Sequence, residues 1–261
     1  MTHSEPPHTL ATGVCATWPL PVDRTCGPTA RSLLRSALTP LRLPAGLIDD
    51  IELMASELSA NALLHGLTQG RGDGSALPLT CRPELWAYTR VRPTAQLVVT
   101  VYDPWPQWKE PKPREPEDLP EAGRGLGIVQ NLSAEWGWHK TLSRLAPAPT
   151  PGKAVYFVVP ATSLYTRPVV PFIPAPEAAC ALYDHLAARG IGGLQLSHGH
   201  GRSLVSLPCG FTVWSENPGI YRWQDPSGQY RSRPYIDLID VAEITVQLHT
   251  ERAVHPPAVQ E

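Results

Sequence analysis

Glu57-Leu-Ser-Ala-Asn61-Ala-Leu-Leu-His65-Gly66 sets a carboxylate, an amide and an imidazole at successive four-residue intervals in an otherwise apolar, helix-favouring segment. Four residues is just over one helical turn, so the three side chains form a stripe. At about 100° per residue, Leu47, Ile51, Met54 and Leu58 centre one face of the helix. Glu57, Asn61 and His65 fall within roughly a right angle of that centre, and Ser56, Ser59 and Leu63 lie opposite. The polar stripe therefore faces the interior or its edge. A carboxylate and an amide held away from water cost free energy unless partnered, so the stripe reads as the lining of a pocket. The helix is expected from about residue 47 to Gly66. Its acidic start (Asp49, Asp50, Glu52) complements the helix dipole, and Gly66 suits a left-handed cap.

Outward from that helix, the chain alternates between helical and extended patterns. Residues 23–41 have helical spacing at Ala30, Leu33, Leu34, Ala37, Leu38 and Leu41, with Pro28 fit for a first turn. Residues 15–20 can pair as an edge strand before Pro21. Gln69-Gly-Arg-Gly-Asp-Gly-Ser75 is a loop by composition. Residues 85–91 and 96–102 read as two strands with a turn at Pro93. Residues 104–121 are proline-rich and charged, without periodicity. Gly123-Arg-Gly-Leu-Gly127 leads into a short helix over residues 128–134, and residues 138–145 and 154–159 form another antiparallel pair. For residues 14–162 this predicts an α+β, two-layer sandwich, with helices on one face of a mixed, mostly antiparallel sheet.

Pro168, Pro171, Pro174 and Pro176 mark a linker over residues 163–176. A small α+β domain is expected over residues 177–250. It has an amphipathic helix at 177–189 stopped by Gly190, and short strands at 194–197, 203–207, 211–215 and 221–225. Residues 235–250 are rich in β-branched residues, yet Ile236, Ile239, Ala242 and Val246 follow helical spacing. Residues 1–13 read as disordered and residues 251–261 as a loose tail.

With 261 residues and 42% apolar composition, the chain can bury a full core. Its 22 basic and 24 acidic residues nearly cancel, which gives no electrostatic footprint for nucleic acid or an anionic membrane. The five cysteines, Cys15, Cys26, Cys81, Cys180 and Cys209, are odd in number and widely spaced, with no Cys-x-x-Cys pair. They read as reduced thiols of a cytoplasmic protein rather than as disulfides or zinc ligands. No apolar run has the length of a membrane span, and no signal-peptide pattern is present.

Three blocks in order carry a resemblance. Glu57-x-x-x-Asn61-x-x-x-His65-Gly66, the strand-ending Leu97-Val-Val-Thr-Val-Tyr-Asp103, and Gly123-Arg124-Gly125-Leu126-Gly127 together resemble the GHKL family of ATP-binding domains. That family includes type II topoisomerases, heat-shock chaperones, histidine kinases and anti-sigma-factor serine kinases, and the likeness is closest to the last. It covers the first 160 or so residues and implies a Bergerat-type fold that binds ATP with Mg²⁺. By resemblance, Asn61 holds Mg²⁺ through its side-chain oxygen, Glu57 is a general base toward an attacking hydroxyl or water, and Asp103 accepts from the adenine amino group. His65 fixes the helix end or approaches the phosphates. Glycines before a helix let backbone N–H groups converge on phosphate, and Arg124 adds a charged donor. After Asp103 the family often continues Asp-x-Gly-x-Gly, whereas this chain has Pro104-Trp105-Pro106; Trp105 or Trp108 is a candidate to stack on or wall the adenine. Residues 105–121 would form the lid.

Other constellations are weaker. His198-Gly-His200 lacks a Cys or carboxylate to complete a metal shell and reads as a hairpin turn. Phe211, Trp214, Tyr221 and Trp223 read as the core of the small domain. Ser59, Ser133 and Ser163 have no His/Asp setting. The expected function is regulatory: a serine/threonine protein kinase acting on an anti-sigma-antagonist or sigma-factor type of partner, with homodimerisation as the resemblance implies. The alternative is a nucleotide-sensing interaction module without kinase activity, for which the altered stretch after Asp103 and the extra C-terminal domain both speak.

Overall fold

In the computed structural model, which describes residue 10 and residues 14–67, 82–107, 125–161 and 173–254, the helical spacing before residue 62 becomes two packed helices. These are α1 (Cys26–Leu38), extended by a 3-10 turn at Thr39–Leu41, and α2 (Ala45–Asn61). Ile51, Met54 and Leu58 of α2 are buried, as the helical wheel requires. The opposite side of α2 is not free surface, because α1 lies against it. Ser56 and Ser59 are buried there, a Cβ on Gly27 would stand 2.8 Å from Ser56 Oγ, and Arg31 Nη1 donates to that hydroxyl at 3.1 Å. The helix also does not stop at Gly66. Past Asn61 it widens into a π-helical turn, Ala62–Leu67, which takes the place of a left-handed cap and carries both His65 and Gly66. Such widened turns recur at functional sites.

The first sheet comprises β1 (Ala16–Pro19), β2 (Glu84–Val91), β3 (Ala95–Asp103), β4 (Glu135–Leu142) and β5 (Pro151–Pro160), in the spatial order β1-β2-β3-β5-β4. Every neighbouring pair is antiparallel, so the sheet is not mixed. Alternation along the strands sorts side chains to two faces. Leu85, Ala87, Leu97, Val99, Val101, Val155, Phe157 and Val159 join α1 and α2 in one core. Helix α3 (Gly125–Leu132) takes in Gly125 and Gly127, ahead of the start at residue 128 that the glycine run predicts.

A second sheet is a meander of β6 (Gln195–Gly199), β7 (Arg202–Ser206), β8 (Thr212–Glu216), β9 (Ile220–Gln224) and β10 (Tyr230–Pro234). It is flanked by α4 (Ala175–Ala188) and α5 (Leu238–Val254), the latter entered through a 3-10 turn at Tyr235–Asp237. Pro176 sits in the first turn of α4 instead of in the linker, and helix α5 runs to Val254, past the expected end. Residues 1–9, 11–13, 68–81, 108–124, 162–172 and 255–261 lie outside the described residues, and with them most of the expected disordered start, the glycine loop, most of the lid and of the linker, and the tail's end. Phe211, Tyr221 and Trp223 are core, but Trp214 turns to the other face, its ring centroid 6.4 Å from that of exposed Tyr230. His198 and His200 fall at the β6–β7 hairpin, where His198 Nδ1 lies 3.0 Å from Ser203 Oγ.

The second face of the first sheet is covered by α5. Ile239 packs with Tyr88, Val98 and Val158, while Val241, Ala242 and Val246 belong to the core of the C-terminal unit. Buried ions fix both ends of this contact. Arg90 Nη1 reaches Asp240 at 3.1 Å and its Nη2 reaches Glu135 at 2.6 Å, and Asp237 accepts the Val91 N–H at 2.7 Å. Glu243 accepts from Thr141, Arg144 and Arg189. Arg144 and Arg189 also lie over Trp86, 5.1 and 5.0 Å from its ring centre, and Trp86 stacks on Tyr102. Losing one member of a buried pair costs about 3–5 kcal/mol because its partner is left uncompensated.

Candidate functional site

Two of the three sequence blocks meet at the junction of α2 and α3. A Cβ built on Gly125 would stand 2.7 Å from Glu57 Oε2, 3.3 Å from Glu57 Cβ and 3.4 Å from Asn61 Nδ2. Only a residue without a side chain lets the start of α3 come this close. The same test at Gly127 finds open space within 4 Å. Glu57 and Asn61 are half-buried, so each combines a fixed position with access from outside. Leu126, between the glycines, is partly buried against the main core and anchors the turn. His65 follows in the π-helical turn, which also contacts β3. Gly123, Arg124 and the expected lid beyond Gln107 lie outside the described residues.

The second block ends on the same face of the sheet. Leu97, Val99 and Val101 point to the helices, and Asp103 continues that alternation at the end of β3, 2% exposed. The sequence reading missed its partner. Directly across the β3–β5 ladder from Asp103 is Lys153, 6% exposed, whose Nζ donates to Asp103 Oδ2 at 2.7 Å. The same ammonium donates to the Trp105 carbonyl at 2.8 Å, and the Trp105 N–H donates to Asp103 Oδ1 at 2.9 Å. Asp103, Lys153 and Trp105 thus form a closed polar triangle. Pro104 and Pro106 around Trp105 leave no glycine in this turn; the turn is held by the ion pair instead. The Trp105 indole Nε1 is buried without a hydrogen-bond partner among the described residues.

Behind Asp103, Gly152 admits the Tyr102 ring and the Asp103 carbonyl where a side chain would stand, and Tyr102 Oη donates to the Thr150 carbonyl at 3.0 Å. The only hint of Lys153 in the sequence was a lysine following a glycine at a strand start. Its role depends on register with a strand fifty residues away, which local pattern does not reveal.

Chemically, the arrangement offers an amide oxygen on Asn61 and a carboxylate on Glu57 beside helix N–H groups at Gly125–Gly127. It offers a second carboxylate, already charge-balanced, on Asp103. An oxygen donor next to a helix start fits a hard cation bridging phosphate, and the tight seat of Gly125 is the kind of backbone approach such a group requires. Among the described residues, no cluster of three or more His, Cys, Asp or Glu could hold a metal by itself. No described helix is long and apolar enough to cross a membrane.

Compared with protein families, residues 21–144 match the histidine kinase-like ATPase domain. The match takes in α1 to β4 and stops short of β5, so Lys153 and the whole C-terminal unit lie beyond it. No curated protein matches the chain.

Proposed function

Since residues 21–144 belong to the histidine kinase-like ATPase domain family, we propose that the chain is a Mg²⁺–ATP-dependent regulatory serine/threonine kinase of the anti-sigma type, acting on an antagonist or sigma-factor partner. The observation that carries this reading is the contact of Gly125 with Glu57 and Asn61, which joins the helix stripe to the glycine turn. ATP with its Mg²⁺ would supply the phosphoryl group and neutralise its charge. Asn61 would hold the ion through its amide oxygen, and the first-turn N–H groups of α3 would hold phosphate oxygens, with His65, Gly123 and Arg124 near them. Asp103 would accept from the adenine amino group, with Trp105 beside the base. Glu57 would take the proton of the attacking partner hydroxyl.

A second reading has its own support. The Asp103 carboxylate is already ion-paired and the glycines usual after it are replaced by Pro104-Trp105-Pro106, which suits a module that senses nucleotide and signals through the docked C-terminal unit without transfer. Calorimetric titration of Mg²⁺–ATP into wild type and Asn61→Ala tests the shared premise: binding should be clear in the first and weakened at least tenfold in the second, as expected for a lost charged ligand contact. Absence of binding to wild type would sink both readings. Labelled ATP with an antagonist protein encoded beside this gene separates them. Transfer abolished by Glu57→Ala supports the kinase, and binding without transfer supports the module.

A further inference from the structure

Resting on the nucleotide reading of this site, we propose that Lys153 is a base-reading residue. Its ammonium and the Asp103 carboxylate would present a donor and an acceptor side by side to the edge of adenine, Asp103 accepting from the 6-amino group and Lys153 donating to the neighbouring ring nitrogen N1. Four observations carry this. First, the two side chains come from directly opposed residues of β3 and β5 and lie on the face of the sheet that α2 covers. Second, both are almost wholly buried. A buried ion pair adds little to stability over a well-packed apolar pair, so stability alone is a poor account of a lysine here.

Third, an ammonium has three donors, and among the described residues the Asp103 carboxylate and the Trp105 carbonyl engage two of the three on Lys153. The flexible stem is thereby fixed beside the Asp103 carboxylate, with a donor to spare among the described residues. Fourth, Trp105, whose backbone the same pair holds, has an indole N–H that is buried and without a partner among the described residues. The corner is therefore richer in donors than a lone aspartate would make it, and it fits an edge that offers an acceptor next to its amino group. Adenine has that edge.

The test compares Mg²⁺–ATP with Mg²⁺–1-deaza-ATP, in which N1 is replaced by CH, on the full chain by calorimetry. Wild type should bind the deaza analogue about ten- to a hundredfold more weakly, the range for a charge-assisted hydrogen bond. Lys153→Met should lose that discrimination and bind the two alike. Equal affinities in wild type overturn the proposal without any variant, so a folding defect in Lys153→Met does not shield it. A variant that keeps the wild-type ratio shows Lys153 to be structural, and one that binds both analogues more tightly shows that the lysine occupies the place of the base. Either result overturns the proposal. If wild type binds neither nucleotide, the nucleotide reading itself has failed.

Discussion

At the scale of single residues, the two glycines at the start of α3 do different work. Gly125 is a packing glycine, since a methyl group there would collide with Glu57. Gly125→Ala should push α3 from α2, cost about 1–3 kcal/mol by overpacking and weaken nucleotide binding about tenfold or more. Gly127 has open space instead. Gly127→Ala should leave stability unchanged or raise it by up to about 1 kcal/mol, because alanine is the better helix residue. Urea melts of both variants check the pair, and equal losses would contradict it. Asn61, Glu57 and the glycines were legible in the sequence because helical spacing is local. Asp103 was legible as the end of an apolar strand. Lys153 was not, since nothing within a few residues of it announces the carboxylate that it meets.

At the scale of elements, β2, β3 and β5 are buried on both faces, and α5 is the reason. The sequence showed the spacing of α5 but not where it would dock, because docking depends on pairs such as Arg90–Asp240 that are 150 residues apart. Strand β10 escaped notice for a simpler cause: Tyr230-Arg-Ser-Arg-Pro234 is a polar, charged edge, built to resist further pairing. The docked helix also makes stability depend on pH in two opposed ways. Burial would raise Glu243, yet the Arg189 and Arg144 guanidiniums hold it down at about 2. Its contribution is therefore present above the ordinary value of 4.5 and lost as pH falls toward 2. Burial pushes Asp237 up to about 6 from 3.8, against the Val91 N–H bond. The folded state thus favours its protonated form, and that contribution is lost as pH rises through about 6. Asp237→Asn should remove a decline on the order of 2–3 kcal/mol between pH 4 and 6, read as the difference between its urea-melt series and that of wild type. Parallel curves would show that Asp237 does not titrate across this range.

At the scale of the whole molecule, the C-terminal unit is part of the architecture of the first sheet. Without it, Trp86, Tyr88, Val98, Tyr102 and Val158 would meet water, and Arg90 would lose Asp240. A fragment of residues 14–161 should be insoluble or should bind a hydrophobic dye, measured by gel filtration and dye fluorescence. A monodisperse fragment that binds no dye would show that the second face tolerates exposure. One feature of β3 reaches further. Asp103 faces the α2 side, while its chain neighbour Tyr102 stacks on Trp86 beneath Arg144 and Arg189, whose partner Glu243 lies on α5. A single peptide unit therefore separates the Asp103–Lys153 corner from the seat of the second unit. Coupling free energy between two binding events is reciprocal. If nucleotide tightens α5 in its seat, α5 tightens nucleotide by the same factor, and a molecule that grips only the outer meander would set the apparent affinity of a pocket it never touches.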